Sequence, residues 1–148
     1  MNIAIGSDHA GYEYKEILKE CIGGLGHHAV DLGTAGTASC DYPDFAFAVA
    51  DSVAQGKSDF GVLICGTGIG MSMAANKVPG IRAALCSEPL SARFSREHNN
   101  ANVLCLGARV IGIEMARELI RAFLSGVFAG DRHSGRLKKI EEREHGAG

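Results

Sequence analysis

The stretch Phe60-Gly-Val-Leu-Ile-Cys-Gly-Thr-Gly-Ile-Gly70 decides how the rest of the chain is read. Val62 to Ile64 is apolar, short and free of charge, the pattern of a parallel strand covered by helices on both faces. Cys65 stands at its carboxyl end. Gly66, Gly68 and Gly70 let successive backbone N–H groups turn inward without Cβ clashes, and Met71 to Asn76 can continue as a helix whose positive end faces the same spot. Such a turn is an anion hole, and a thiol beside it is biased toward thiolate. A phosphate-binding glycine turn next to an inert buried cysteine fits the same spacing, and spacing does not choose between the two.

Outward from this stretch, helix and strand patterns alternate. Asn2 to Ser7 reads as a first strand delivering Asp8-His9-Ala-Gly11 to a loop. Tyr14, Ile17, Leu18, Cys21, Ile22 and Leu25 follow helical spacing, with Lys15, Glu16, Lys19 and Glu20 assigned to the opposite face, and Gly23-Gly24 stops the helix. Ala29 to Leu32 is a second strand and Gly33 to Cys40 a surface loop. Asp41-Tyr42-Pro43-Asp44 starts a helix running through Gln55, whose Ala, Phe and Val content implies burial on more than one side. Past the central strand, Ile81 to Cys86 reads as strand four, Ser87-Glu-Pro89 opens a helix through Glu97, and His98-Asn99-Asn100 breaks it. Asn102 to Leu106 is strand five, Gly107-Ala-Arg109 its exit, and a long amphipathic helix follows. From about Asp131 the chain ends in a charged helical tail that buries little.

This alternation predicts a three-layer Rossmann-like α/β fold, a five-stranded parallel sheet flanked by helices. The 148 residues fit a single domain, 1–148, with no linker or repeat. In such a fold the strand carboxyl ends share one rim, so Asp8, His9, Cys65 with its turn, Ser87 and Arg109 are expected on one edge.

Composition bounds the function. A net charge of −2 without a basic block argues against a nucleic-acid surface. No run approaches the ~20 apolar residues of a membrane span, and the N-terminus enters Ile3-Ala-Ile5 directly, which predicts no signal peptide. The five cysteines, Cys21, Cys40, Cys65, Cys86 and Cys105, are odd in number and form no CxxC pair. That pattern points to reduced thiols in a cytoplasm rather than to disulfides or zinc. Cys86 and Cys105 lack a following glycine turn and read as core. His9 and His98 stand at element boundaries, where capping and catalysis are both open readings. Arg132 and Arg136, four apart, fit either a phosphate clamp or a solvated tail.

Taken together, Asp8-His9-Ala-Gly11, Asp41-Tyr42-Pro43, Cys65-Gly-Thr-Gly-Ile-Gly70, Ala75-Asn-Lys77, Gly80-Ile-Arg-Ala83, Cys86-Ser-Glu-Pro89, His98-Asn99, Gly107-Ala-Arg109 and the closing Arg132 and Arg136 resemble type B ribose-5-phosphate isomerase. The match is colinear from Ile3 to about Arg136. That family includes allose-6-phosphate and galactose-6-phosphate isomerases. The resemblance implies interconversion of ribose 5-phosphate and ribulose 5-phosphate in the pentose phosphate pathway, through a cis-enediolate and without metal or organic cofactor. It implies that Cys65 is the base and that Gly66, Thr67, Gly68, Ile69 and Gly70 present N–H groups to the enediolate. Asp8 and His98 would open the furanose ring, with His98 the proton donor. His9, Arg109, Arg132 and Arg136 would face the phosphate, and Tyr42 and Asn99 the substrate or its surroundings. One branch of the family uses a glutamate just after the turn; Met71 stands there, so the chain resembles the cysteine branch. The family's sites form between two subunits of a homodimer, in some members paired into a dimer of dimers, and His98 and Arg109 are expected to reach in from the neighbour. A six-carbon sugar phosphate as substrate and a non-catalytic sugar-phosphate binding module are the other readings.

Overall fold

The computed structural model describes residues 1–146. Strands β1 (Asn2–Ser7), β2 (His28–Asp31), β3 (Phe60–Cys65), β4 (Ala83–Leu85) and β5 (Val103–Gly107) form one parallel sheet in the order β2-β1-β3-β5-β4. Six helices accompany it: α1 (Tyr12–Gly24), α2 (Tyr42–Ala54), α3 (Ile69–Ala75), α4 (Pro89–Asn99), α5 (Ile113–Ser125) and α6 (Ser134–His145). Single 3-10 turns occupy His9–Gly11 and Asp131–His133.

Side chains on a strand alternate between faces, and the two faces bury different helices. Ile3, Ile5, Val62, Ile64, Leu104 and Leu106 pack with Leu18 and Ile22 of α1, Ala92 of α4 and Phe123 of α5. Ala4, Leu63, Cys65, Val103 and Cys105 pack with Val49 and Ala50 of α2 and Met71 and Ala75 of α3. Because β3 is central, its Val62, Leu63 and Ile64 are fully buried, each contributing about 1.5–3 kcal/mol of transfer free energy. The three-layer architecture and the five-stranded parallel sheet are those expected from the alternation of patterns.

Several local expectations change. Lys15 does not belong to a solvated face: it is 1% exposed, with Nζ 2.5 Å from Asp31 and 2.8 Å from Glu16. Tyr12 and Gly33 cover its stem, so a charge at a helical face position is buried because β2 brings a carboxylate to meet it. Gly23 and Gly24 are still helical, the last two residues of α1, and Leu25 caps it. β4 is three residues long, an edge strand whose preceding residue Arg82 gives its N–H to the side chain of Asn102 rather than to a ladder. α4 continues past Glu97 to Asn99, and Asn100 alone, at φ 45°, ends it. Arg96 secures that end, donating to Asn100 Oδ1 at 3.0 Å and to the Ala101 carbonyl at 2.6 Å. Finally, α2 is buried on one side only. Tyr42 and Phe47 on its outer side are each 39% exposed. α6 agrees with the expected tail, burying Leu137 alone.

Candidate active site

At the carboxyl rim, Cys65 is the last residue of β3 and is 5% exposed. Its Sγ accepts the Gly68 N–H at 3.1 Å. That bond requires the tight turn, and the turn requires glycine at 68, where φ is +78° and a Cβ would fall 2.5 Å from Leu85 and 2.8 Å from the Leu106 backbone. The bond aims a backbone donor at the sulfur. The Thr67 hydroxyl accepts the Ile69 N–H at 3.3 Å, which folds the turn into α3. Gly70 admits Tyr42, whose ring lies 2.6 Å from where a Cβ would be. Ile69 is half exposed beside it.

The other groups of this rim close around the turn. Asp8 is nearly buried, and its Oδ1 accepts the N–H groups of Ala10 and Gly11 at 3.0 and 3.2 Å, capping the 3-10 turn that carries His9. His9 Nδ1 accepts the Cys40 N–H at 3.3 Å. An accepting Nδ1 carries no proton, so Nε2–H of the neutral ring remains a donor. Arg109 N–H bonds the Gly66 carbonyl at 2.9 Å, and its guanidinium lies 3.4 Å from where a Gly66 Cβ would be. Arg109 therefore sits on its own chain's turn, which corrects the expectation that it reaches in from a neighbour; the short Gly107–Arg109 exit from β5 leaves it beside β3. Ser87 and Thr67 line an adjoining cleft of about 340 Å³.

His98, Asn99, Arg132 and Arg136 are elsewhere. α4 starts beyond the carboxyl end of β4 and runs back, so its last turn lies at the amino rim, four residues before β5 begins. The five residues of β5 separate that rim from the Cys65 rim by about 13 Å. There His98 stacks between Phe94, centroids 4.4 Å apart, and His133, at 4.5 Å. The Ala129 N–H bonds the Glu97 carbonyl at 2.9 Å, holding the Asp131–His133 turn against α4, and Arg132 Nε donates to His133 Nε2 at 3.5 Å. Asn99 lines an amino-rim cleft of about 410 Å³ with Arg82 and Leu137. One chain thus places these two residue groups at opposite ends of its sheet.

Sequence reasoning missed Cys40, Phe94 and His133. Only His133 had a signal, its place between Arg132 and Arg136. The remaining thiols are core: burial pushes Cys86 up, and burial followed by the neighbouring thiols pushes Cys105 up further. Among the described residues no cluster of three metal-ligating side chains occurs, and no helix is long and apolar enough to cross a membrane.

Comparison with known proteins places this geometry. The sequence profile described as Ribose/Galactose Isomerase matches residues 3–140. The ribose-5-phosphate isomerase B of Escherichia coli (strain K12) is 46% identical over 138 residues, 93% of each chain. The structure of Clostridium thermocellum ribose-5-phosphate isomerase B superposes with a TM-score of 0.98 at 49% identity over the full length of both chains. That of Mycoplasma genitalium ribose-5-phosphate isomerase B with bound ribulose 5-phosphate gives 0.93 at 45% identity, covering 97% of this chain and 96% of the other. A match spanning the glycine turn, both rims and the start of α6 leaves one assignment: the chain belongs to the ribose/galactose isomerase family.

Proposed function

We propose that this protein is an aldose–ketose isomerase that interconverts ribose 5-phosphate and ribulose 5-phosphate, with Cys65 as the base. The observation that carries the reading is the 3.1 Å bond from the Gly68 N–H to Cys65 Sγ, at a strand end inside a fold shared with ribose-5-phosphate isomerases. Isomerisation removes a weakly acidic proton beside a carbonyl, so it needs a base active near neutral pH and donors aimed at the oxygen that gains charge. Cys65 thiolate takes the C2 proton of the open aldose, giving a cis-enediolate; the O2 hydroxyl proton passes to O1, and the thiol returns its proton to C1, leaving a carbonyl at C2 and a hydroxymethyl group at C1. With the Gly68 N–H directed at sulfur, other N–H groups of the Gly66–Gly70 turn, including that of Thr67, meet the enediolate oxygen. His9 and Arg109 stand on the same rim to take the phosphate.

His98, Asn99, Arg132 and Arg136 complete the site from a second copy of the chain. Their place at the amino rim supports this, because side chains cannot cross the ~13 Å length of β5 to a substrate held at Cys65 of their own chain. So does the outer side of α2 and α3, where Tyr42, Phe47, Ile69 and Met73 remain 39–64% exposed, an apolar patch suited to a partner. From the second copy, His98 donates the proton that accompanies furanose opening, while Asp8 orients the sugar hydroxyl. The physiological assembly is a homodimer with two such sites, in a cytoplasm that keeps the five cysteines reduced.

An isomerase assay on ribose 5-phosphate and allose 6-phosphate tests the reading. Turnover of ribose 5-phosphate, with allose 6-phosphate the poorer substrate, is the expected result. Binding of both sugars without conversion of either would overturn the enzyme assignment.

A further inference from the structure

The amino-rim cluster contains an aromatic group that neither ring opening nor phosphate binding assigns. His133 is 8% exposed, and its ring lies at 12° to that of His98, with centroids 4.5 Å apart. Phe94 covers the other face of His98 at 21°, so His98 is held between two planes. At its edge, His133 Nε2 accepts from Arg132 Nε. A nitrogen that accepts from a guanidinium carries no proton, so this imidazole is the neutral Nδ1–H tautomer.

We propose that His133 is a positioning residue, whose ring face fixes the imidazole of His98 and whose Nε2 fixes the guanidinium of Arg132, holding proton donor and phosphate ligand at a set separation. The proposal rests on the reading that His98 and Arg132 act on the substrate. Electrostatics keep the platform neutral. Burial, followed by His98, Arg132 and Arg136, pushes the His133 imidazole below its ordinary value, and Asp131 opposes them. Two stacked imidazolium rings would repel, which favours the neutral form of His133. The 3-10 turn that carries His133 begins with Gly130 at φ +67° and Asp131 at φ +43°, a backbone path that places consecutive Arg132 and His133 against α4.

Two substitutions separate the functions of the ring. His133→Phe keeps the face and loses the acceptor: KM for ribose 5-phosphate should rise roughly five- to tenfold, with kcat within about twofold of wild type. His133→Gln keeps an acceptor near the Nε2 position and loses the face. Its kcat from ribose 5-phosphate should fall roughly tenfold, while first-turnover exchange of the C1 proton of ribulose 5-phosphate with solvent deuterium stays near wild type, because the open ketose needs no ring opening. Long-range nitrogen–proton NMR of the wild type should show His133 protonated on Nδ1 alone above pH 7. Equal losses of kcat and KM in both variants, tracking a lower Tm, would reduce His133 to a packing residue and overturn the proposal, as would unchanged kinetics or a charged His133. If the wild type turned over no ribose 5-phosphate while the NMR result held, the isomerase reading would fail and the neutral stack would stand.

Discussion

The two rims of this sheet carry different kinds of chemistry. At the carboxyl rim the reactive group is organised by backbone: Cys65 ends a buried strand, and the N–H that faces its sulfur comes from a turn that only glycine can make. At the amino rim it is organised by side chains: His98 lies between Phe94 and His133, and Arg132 hangs from the same imidazole. Backbone organisation is rigid and available in one chain. Side-chain organisation is adjustable, and under the proposed function it serves a second copy of the chain. In the proposed mechanism the first rim supplies a base and oxyanion donors, and the second a proton donor and cations.

The largest expected effect breaks the first rim alone. Cys65→Ala should lower turnover of ribose 5-phosphate by roughly two to four orders of magnitude while the circular dichroism spectrum and Tm stay close to wild type. Unchanged turnover would remove the thiol from the mechanism. Breaking the rims in separate chains sharpens the comparison. Cys65→Ala and His98→Asn proteins, each weak alone, should recover about a quarter of wild-type sites when unfolded together and refolded, since about half the dimers are mixed and each mixed dimer holds one intact site. Recovery of nothing would place both half-sites in one chain or leave the protein without a shared site.

A third change leaves both rims in place and acts on the support of the first. Asp31→Asn strips one partner from buried Lys15, which keeps Glu16, and should cost about 1–3 kcal/mol in denaturant titration. The same network sets the acid limit. Burial alone would push the Asp31 carboxyl up, but hydrogen bonds from Lys15, Lys19 and the Gly33 N–H more than offset this and hold it below its ordinary value of 3.8. Hydrogen bonds from Lys15 and then Lys19 hold Glu16 below 4.5. Carboxylates depressed in the folded state stabilise it fully above those ordinary values, and the contribution is lost as the pH falls through the lower folded ones. Stability should therefore decline below about pH 4, and less steeply in Asp31→Asn. The smallest effect belongs to α6: ending the chain after Ile140 removes a 3.9 Å Arg82–Glu141 pair and the Gly80 N–H bond to Glu144, and should cost less than about 1 kcal/mol with both half-sites intact.

The carboxyl rim was legible in the sequence because topology alone assembles it. Once β1, β3 and β5 are parallel neighbours, Asp8, Cys65 and Arg109 must share an edge, whatever their side chains do. The same reasoning does not reach the other rim. The identity of His98, Asn99, Arg132 and Arg136 was readable through family resemblance, yet how they meet depends on α4 continuing two residues past Glu97, secured by the Arg96 bonds to Asn100 and Ala101, and on the Ala129 bond to Glu97 that brings the Asp131–His133 turn against it. No periodicity encodes that extension. Lys15 escaped for a related reason: helical spacing puts it on a polar face, and only the arrival of Asp31 on β2 makes that face an interior. Local pattern fails where a charge is neutralised by a partner far along the chain.

The register of the sheet also orders events in time. β3 pairs Phe60 with Ile3 on one side and Val62 with Leu104 on the other, so the central strand is completed only by segments distant in sequence. The Thr67–Gly68 backbone rests on Leu106 and Gly107 at the end of β5. Closing such long loops is slow compared with forming helices, and the glycine turn cannot take its final shape before β5 arrives. A growing chain on the ribosome therefore carries Cys65 long before the Gly68 N–H can meet its sulfur, and in a refolding reaction helix content should return ahead of activity.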